Sequence, residues 1–240
     1  MKALRNYCRN LLRHRGWDLV RYLPNWHPLA RRMDLIERYR LDTIIDIGAN
    51  IGQYGEHMRS LGFKGKIISF EPMAHAYAQL EKNCEGDKKW EAHHLGIGHF
   101  DGEAEINIAK NDVESSLLGS SAFTGLTNPN FAYLRQEKIT MARLDTVLPK
   151  LTSPSDRLYL KTDTQGFEKN VIAGAEQSLS RLSTIQLEMA FIPQYEHELV
   201  FQEMYDLLWS KGYRLVSLEL GHSDPDTGQL FQVDGIFHRF

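Results

Sequence analysis

Cysteine is nearly absent from this chain. Cys8 and Cys84 are the only two among 240 residues; they make no CxxC or metal-ligand spacing and are too few for a disulfide framework in a chain of this size. A reducing, cytoplasmic setting is the expectation. Long apolar runs are also missing: none reaches the ~18–20 residues that cross a bilayer, and the N-terminus lacks the uninterrupted apolar core of a secretory signal. Attachment peripheral to the inner membrane is the most that this allows. Nor is there a large excess of one charge. The net charge is −3, which argues against a broad basic surface for nucleic acid. Charge is nevertheless segregated, because the first forty residues hold ten Lys and Arg against three acids.

A further absence is more informative. The chain has no Gly-x-Gly-x-x-Gly turn of the kind that sets backbone amides against a pyrophosphate, and no clear Tyr-x-x-x-Lys pair for hydride transfer. What it has instead is Thr43-Ile44-Ile45-Asp46-Ile47-Gly48-Ala49-Asn50-Ile51-Gly52, followed by Ile67-Ile68-Ser69-Phe70-Glu71-Pro72. Two buried-type apolar runs each carry a carboxylate at or near their end, and the first opens into a glycine-rich turn before a helical pattern. Such a pair reads as a nucleoside crevice. Glu71, closing the second strand, is placed to accept both ribose hydroxyls, since a carboxylate has two oxygens that only accept. Asp46 beside the turn suits a cationic ligand such as S-adenosylmethionine better than a phosphate.

The remaining pattern is that of an α/β fold. Residues 2 to 15 read as a basic amphipathic helix, with Leu4, Tyr7, Cys8, Leu11 and Leu12 on one side and Lys2, Arg5, Arg9 and Arg13 on another. A second helix is expected from Pro28 to about Tyr39. From Thr43, strands 43–47, 66–71 and about 91–97 alternate with helices 52–61 and 73–83. Strands 157–163 and 184–189 then alternate with helices 166–180 and 197–211, and strands 213–220 and 231–239 close the chain. The last two are joined too tightly for a helical crossover and should pair antiparallel. Residues 101–140 break the rhythm and read as a hairpin insertion. Its Ser-, Gly- and Asn-rich stretch from Asn111 to Asn130 is the least structured part of the chain. The expected organisation is an N-terminal helical extension over 1–40 and one catalytic domain over 41–240.

Five segments give the chain a specific resemblance when taken together and in order. They are Asp46-Ile47-Gly48-Ala49-Asn50-Ile51-Gly52-Gln53-Tyr54, Phe70-Glu71-Pro72, Arg143-Leu144-Asp145, Leu160-Lys161-Thr162-Asp163-Thr164-Gln165-Gly166-Phe167-Glu168 and Val233-Asp234-Gly235-Ile236-Phe237. They resemble the FkbM family of S-adenosylmethionine-dependent methyltransferases, from about residue 30 to the end. The resemblance implies a class I methyltransferase fold, Rossmann-like, with a mostly parallel sheet between helices and an antiparallel C-terminal hairpin. It also implies methyl transfer to an oxygen of a small molecule or a sugar, in surface glycan or glycosylated-metabolite biosynthesis. One departure shows, because the family usually has Glu where this chain has Gln165.

The candidate site residues follow from these two readings. Asp46, Gly48, Asn50, Gly52, Glu71, Pro72 and Gly96 are the candidates for binding S-adenosylmethionine. Asp163 shares a strand face with Lys161 and sits where the crevice opens, so it leads the catalytic candidates, with Gln165 beside it and Glu188 at the next strand end. Ser115, Ser116 and Lys161 are the candidates for holding the acceptor, the serines because they match a serine-rich stretch of the resembled family; Lys161 could instead neutralise a nearby acid, or pack with its ammonium turned outward. Glu168 reads as a helix-dipole partner, and His94 as a half-buried histidine near the adenine. No metal site is expected: His93 and His94 are adjacent and point apart on a strand, and His222, Asp224 and Asp226 read as a solvated turn. The basic N-terminal helix could pack on the sheet, join a second copy, or meet an anionic membrane. Two alternatives to a methyltransferase stay open here: a nicotinamide-dependent oxidoreductase on the same fold type, and a noncatalytic module that binds the cofactor.

Overall fold

The computed structural model describes residues 2–240 except Pro129; the side chains of residues 2–5, Cys8, Leu126 and Thr127 lie outside the described set. The expected roles of Lys2, Leu4, Arg5 and Cys8 in the first helix therefore fall outside it as well. Two helices, α1 (Lys2–Arg13) and α2 (Pro28–Arg38), precede the sheet. Then follow β1 (Thr43–Ile47), α3 (Gln53–Ser60), β2 (Lys66–Phe70), α4 (Ala74–Cys84), β3 (Trp90–His93), β4 (Gly96–Gly98) and β5 (Gly102–Ala109). After β5 come α5 (Thr124–Thr127), β6 (Tyr133–Arg143), α6 (Leu144–Leu151), β7 (Leu158–Thr162), α7 (Glu168–Ala173), β8 (Leu182–Ala190), α8 (Phe201–Ser210), β9 (Arg214–Leu220) and β10 (Gln232–His238).

Seven strands form the central sheet in the order β3-β2-β1-β7-β8-β10-β9. Neighbours from β3 to β8 are parallel, and β10 runs antiparallel to both β8 and β9. Strands buried on both faces need apolar residues throughout, and β1 and β7 are buried at every position. Alternation splits the core in two. One face gathers Ile45, Ile47, Phe70, Leu160 and Leu187 with Leu144, Val171 and Leu208. The other gathers Ile44, Ile67 and Tyr159 with Leu35 and Ile36 of α2 and Met58 of α3.

Three expectations are corrected. The strand expected over 91–97 is two: β3 ends at His93 in the central sheet, and β4 opens a second sheet of order β4-β6-β5. The helix expected over 166–180 is α7 followed by a short 3-10 turn over Ser178–Ser180. It breaks at Gly174, where a Cβ would overlap the Gly98 carbonyl oxygen. Helix α6, with Pro149 inside it, was not among the expected elements. It is held by Asp145, whose carboxylate accepts the main-chain N–H groups of Gln177 and Ser178 at 3.0 and 2.8 Å.

Candidate active site

The chain runs outward from β1 to β3 and then returns to β7 on the other side of β1, so a crevice opens at the C-terminal ends of β1 and β7. A cavity of about 390 Å³ lies there. Its first wall is the turn after β1. Gly48 has φ +75°, and a Cβ on it would overlap the Asp163 carbonyl oxygen, so only glycine lets the β1 and β7 ends come this close. Asn50 is left-handed, with φ +48°, a conformation that asparagine tolerates. Its Oδ1 accepts the Ile51 N–H at 2.8 Å, and its own N–H donates to Glu71 Oε2 at 2.8 Å. Glu71 Oε1 accepts the Met73 N–H at 2.9 Å. This carboxylate is 2% exposed, and burial pushes its pKa up to about 7, against the pull of the two amides. Pro72 and Gly96 line the same wall.

Two expected ligand contacts lie elsewhere. Asp46 is fully buried beneath the cavity wall. There it accepts from Ser69 Oγ at 3.2 Å and pairs with Lys161 Nζ at 3.3 Å. Register explains this: Asp46 stands opposite Ser69 on β2 and Lys161 on β7, on one face of the sheet. Gly52 is also outside the wall, and a Cβ there would press on Leu80 and Trp90. Lys161 reaches the cavity and, of the roles open to it, neutralises acids: it sits between Asp46 and Asp163, the latter at 3.6 Å. Burial disfavours its charge, yet the two carboxylates hold its pKa above the usual lysine range. Asp46 is raised by burial, which Lys161 opposes.

Asp163 and Gln165 meet at the open end. The Asp163 side chain is 42% exposed. Gln165 Nε2 donates to Asp163 Oδ1 at 2.8 Å, and Gln165 Oε1 accepts from the Tyr195 hydroxyl at 2.7 Å. A carboxylate only accepts, so the amide orientation of Gln165 is fixed. Tyr195 also donates to the Glu114 carbonyl at 3.1 Å. That residue belongs to the 111–130 stretch, whose part from Glu114 to Ser120 is tied down rather than unstructured. Ser116 pairs with Asn107 and Ser120 with Tyr195 as single β-bridges. The Ser116 hydroxyl donates to the Gln165 carbonyl at 2.6 Å, and Ser115 Oγ accepts the Ala109 N–H at 3.0 Å. Both serines are buried and line the cavity as its roof. The Ser- and Asn-rich composition that marks a loop also supplies the groups that anchor it.

Glu188 is half-buried, does not line the cavity, and accepts from Gln232 Nε2. Burial, then Asp163 and Glu168, pushes its pKa well up. Glu168 is buried at the start of α7 and accepts the Thr164 N–H at 2.7 Å, which is more than a dipole partner does. Burial raises it to about 7. His94 is exposed and stacks on Tyr77 outside the cavity wall. Asp224 accepts from the Asp226 N–H and the Thr227 hydroxyl within its own turn. No metal-holding group of three or more His, Cys, Asp or Glu occurs among the described residues. The sequence reading assigned no role to Arg32, Tyr54, Gln186 or Asp234, all of which line the far end. Arg32 pairs with Glu219, and Gln186 accepts the Tyr54 hydroxyl at 3.0 Å and the Tyr159 hydroxyl at 2.6 Å. Tyr54 and Asp234 stood in quoted motifs; Arg32 and Gln186 carried no sequence signal.

A parallel sheet ending in an antiparallel hairpin, with an acid at the end of β2 and a glycine turn after β1, defines a class I methyltransferase. Residues 46–215 match the methyltransferase FkbM domain, well over half of the chain, which therefore belongs to that family of S-adenosylmethionine-dependent methyltransferases. The 2-O-methyltransferase NoeI of Sinorhizobium fredii is 25% identical over 173 residues, covering 69% of this chain and 70% of that protein. Methyltransferase 1 of Beauveria bassiana is 25% identical over 144 residues, covering 55% of this chain and 58% of that protein. An rRNA methylase structure from Streptococcus thermophilus aligns at a TM-score of 0.45 and 10% identity, over 89% of this chain and 97% of that one. A likeness so weak carries no argument about substrate. Family membership removes the oxidoreductase and noncatalytic alternatives. No helix among the described residues is long and apolar enough to cross a membrane.

Proposed function

We propose that the cavity takes S-adenosylmethionine with its ribose diol on Glu71, and that the methyl passes to a hydroxyl oxygen of a sugar or other small molecule in surface glycan or glycosylated-metabolite synthesis. Glu71 is the observation that carries the reading. Each of its oxygens accepts one main-chain N–H and keeps acceptor capacity at the cavity wall. Pro72, Met73, Leu95, Ile97 and Ile106 form an apolar slot of the kind that suits adenine. The lining cations Arg32 and Lys161 are already matched by carboxylates, which suits a ligand with an ammonium and a sulfonium and no phosphate.

When bound, the cofactor supplies an electrophilic methyl on positively charged sulfur. The chain's part is to position the acceptor and take its proton. Gln165 donates to Asp163 Oδ1 and Lys161 Nζ lies 3.6 Å from Oδ2; the carboxylate, its side chain 42% exposed, keeps acceptor capacity for the hydroxyl proton and a route to water. Gln165 and Tyr195 act as positioning residues that fix the Asp163 carboxylate. An oxygen acceptor is supported by the similarity to a 2-O-methyltransferase and by the polar far end, where the Asp234 carboxylate lines the cavity and can accept from a hydroxyl. Glu71→Ala should weaken S-adenosylmethionine binding by about 1–3 kcal/mol, the loss of a charge-assisted contact. Unchanged affinity by titration calorimetry would remove the assignment.

A further inference from the structure

Residues 17–26, on the way from α1 to α2, turn six large apolar side chains to solvent. Trp17 is 73% exposed, Leu19 65%, Tyr22 54% and Trp26 71%, with Val20 and Leu23 also exposed. Single exposed apolar residues are ordinary on a soluble protein, but a contiguous group rimmed by polar side chains marks a contact surface. The group extends in both directions. Tyr7 and Leu11 are exposed on α1, while Leu23 and Trp26 share a groove with Arg38 and the exposed Phe240 at the sheet edge.

Charge decides what covers it. Residues 1–27 hold six Lys and Arg against one acid, a net +5, which leaves −8 on the rest of the chain. That one acid, Asp18, accepts from both Arg9 and Arg13, so no carboxylate of the segment is left to neutralise the exposed Arg15 and Arg21. A second copy meeting residues 7–26 with its own would set a net +3 against +3, four arginines against Asp18 on each side. An anionic lipid surface matches both properties at once, because Trp and Tyr rings settle at the headgroup level and arginines bind lipid phosphates with their stems along the apolar layer.

We propose that residues 7–26 dock this enzyme reversibly on an anionic lipid bilayer. Attachment is interfacial, with Trp17, Tyr22 and Trp26 entering the headgroup region and the arginines holding the surface. Such docking is independent of the acceptor and of how the cofactor is held.

Co-sedimentation of the full chain with vesicles of phosphatidylcholine, with and without phosphatidylglycerol, tests it. Binding is expected only with phosphatidylglycerol, weakened about tenfold or more by high salt. Joint Trp17→Ser and Trp26→Ser should weaken it by a similar factor while S-adenosylmethionine affinity stays unchanged. Arg15→Glu with Arg21→Glu gives a second variant pair should the first fail to fold. No binding to anionic vesicles, or equal binding to both vesicle types, would overturn the proposal. So would a dimer seen by light scattering that the tryptophan variants dissolve, which would assign the patch to a second copy.

Discussion

Lowering the pH should weaken cofactor binding through Glu71. Its carboxylate is buried and its pKa is pushed up to about 7, within the range where binding is measured. Ribose hydroxyls donate to the carboxylate, so the ligand favours the ionised form, and affinity must fall as the group is protonated. With a pKa near 7, about nine-tenths of the protein is ionised at pH 8 and about one-tenth at pH 6. If only the ionised form takes both hydroxyls, the dissociation constant rises about tenfold between those pH values, or ~1.4 kcal/mol. Titration calorimetry across pH 6–8 reads this directly. Methylthioadenosine makes the cleaner probe, since it keeps the ribose and has neither ammonium nor carboxylate of its own. Glu71→Gln should bind more weakly at pH 8 and show a flat profile. A flat profile in the unaltered protein, or the same slope in Glu71→Gln, would refute the ribose assignment.

The other predictions concern the groups around the cavity. Lys161→Met leaves Asp46 buried without its cation and should destabilise the fold by about 3–5 kcal/mol in urea unfolding; adding Asp46→Asn should restore much of the loss, and full additivity would contradict the pairing. Glu168 is raised from 4.5 to about 7, so its stabilising contribution is full below pH 4.5 and is lost as pH rises through 7. Glu168→Gln should accordingly raise stability at pH 8 by up to about 3 kcal/mol and change little at pH 5, with equal effects at both pH values counting against the assignment. Tyr195→Phe should lower kcat about three- to thirtyfold with KM for S-adenosylmethionine nearly unchanged. Gln165→Ala, which removes the amide donor to Asp163, should lower kcat with S-adenosylmethionine affinity little changed; an unchanged kcat would mean that Gln165 does not position Asp163.

Much of the cofactor half was legible because its signals are local. The apolar runs of β1 and β2, the glycine turn and the strand-end Glu71 lie within thirty residues of one another, and hydrophobic periodicity finds each. The C-terminal hairpin was legible from the short link between its strands. The layer beneath the cavity was not, because it is made by register. Asp46, Ser69 and Lys161 share a face only once three strands are paired, and a sequence shows Asp46 merely beside a turn. Gln186 and Arg32 were hidden for the same reason, being brought in by β8 and by a helix ahead of the domain. The residues from Glu114 to Ser120 misled in the other direction: their composition speaks of a loop, while their anchoring rests on partners such as Gln165 and Tyr195, 49 and 81 positions away along the chain from the residues they bind.

Methyl transfer to oxygen with Asp163 taking the proton is open to direct measurement. The most direct test offers carbon-13-methyl S-adenosylmethionine to the unaltered protein and to Asp163→Asn with a panel of glycans and nucleotide sugars, reading label position by NMR and mass spectrometry. The expected result is label on an oxygen, with turnover about ten- to a thousandfold slower in Asp163→Asn and cofactor affinity little changed. Label on nitrogen or carbon, or full activity in Asp163→Asn, would contradict the account.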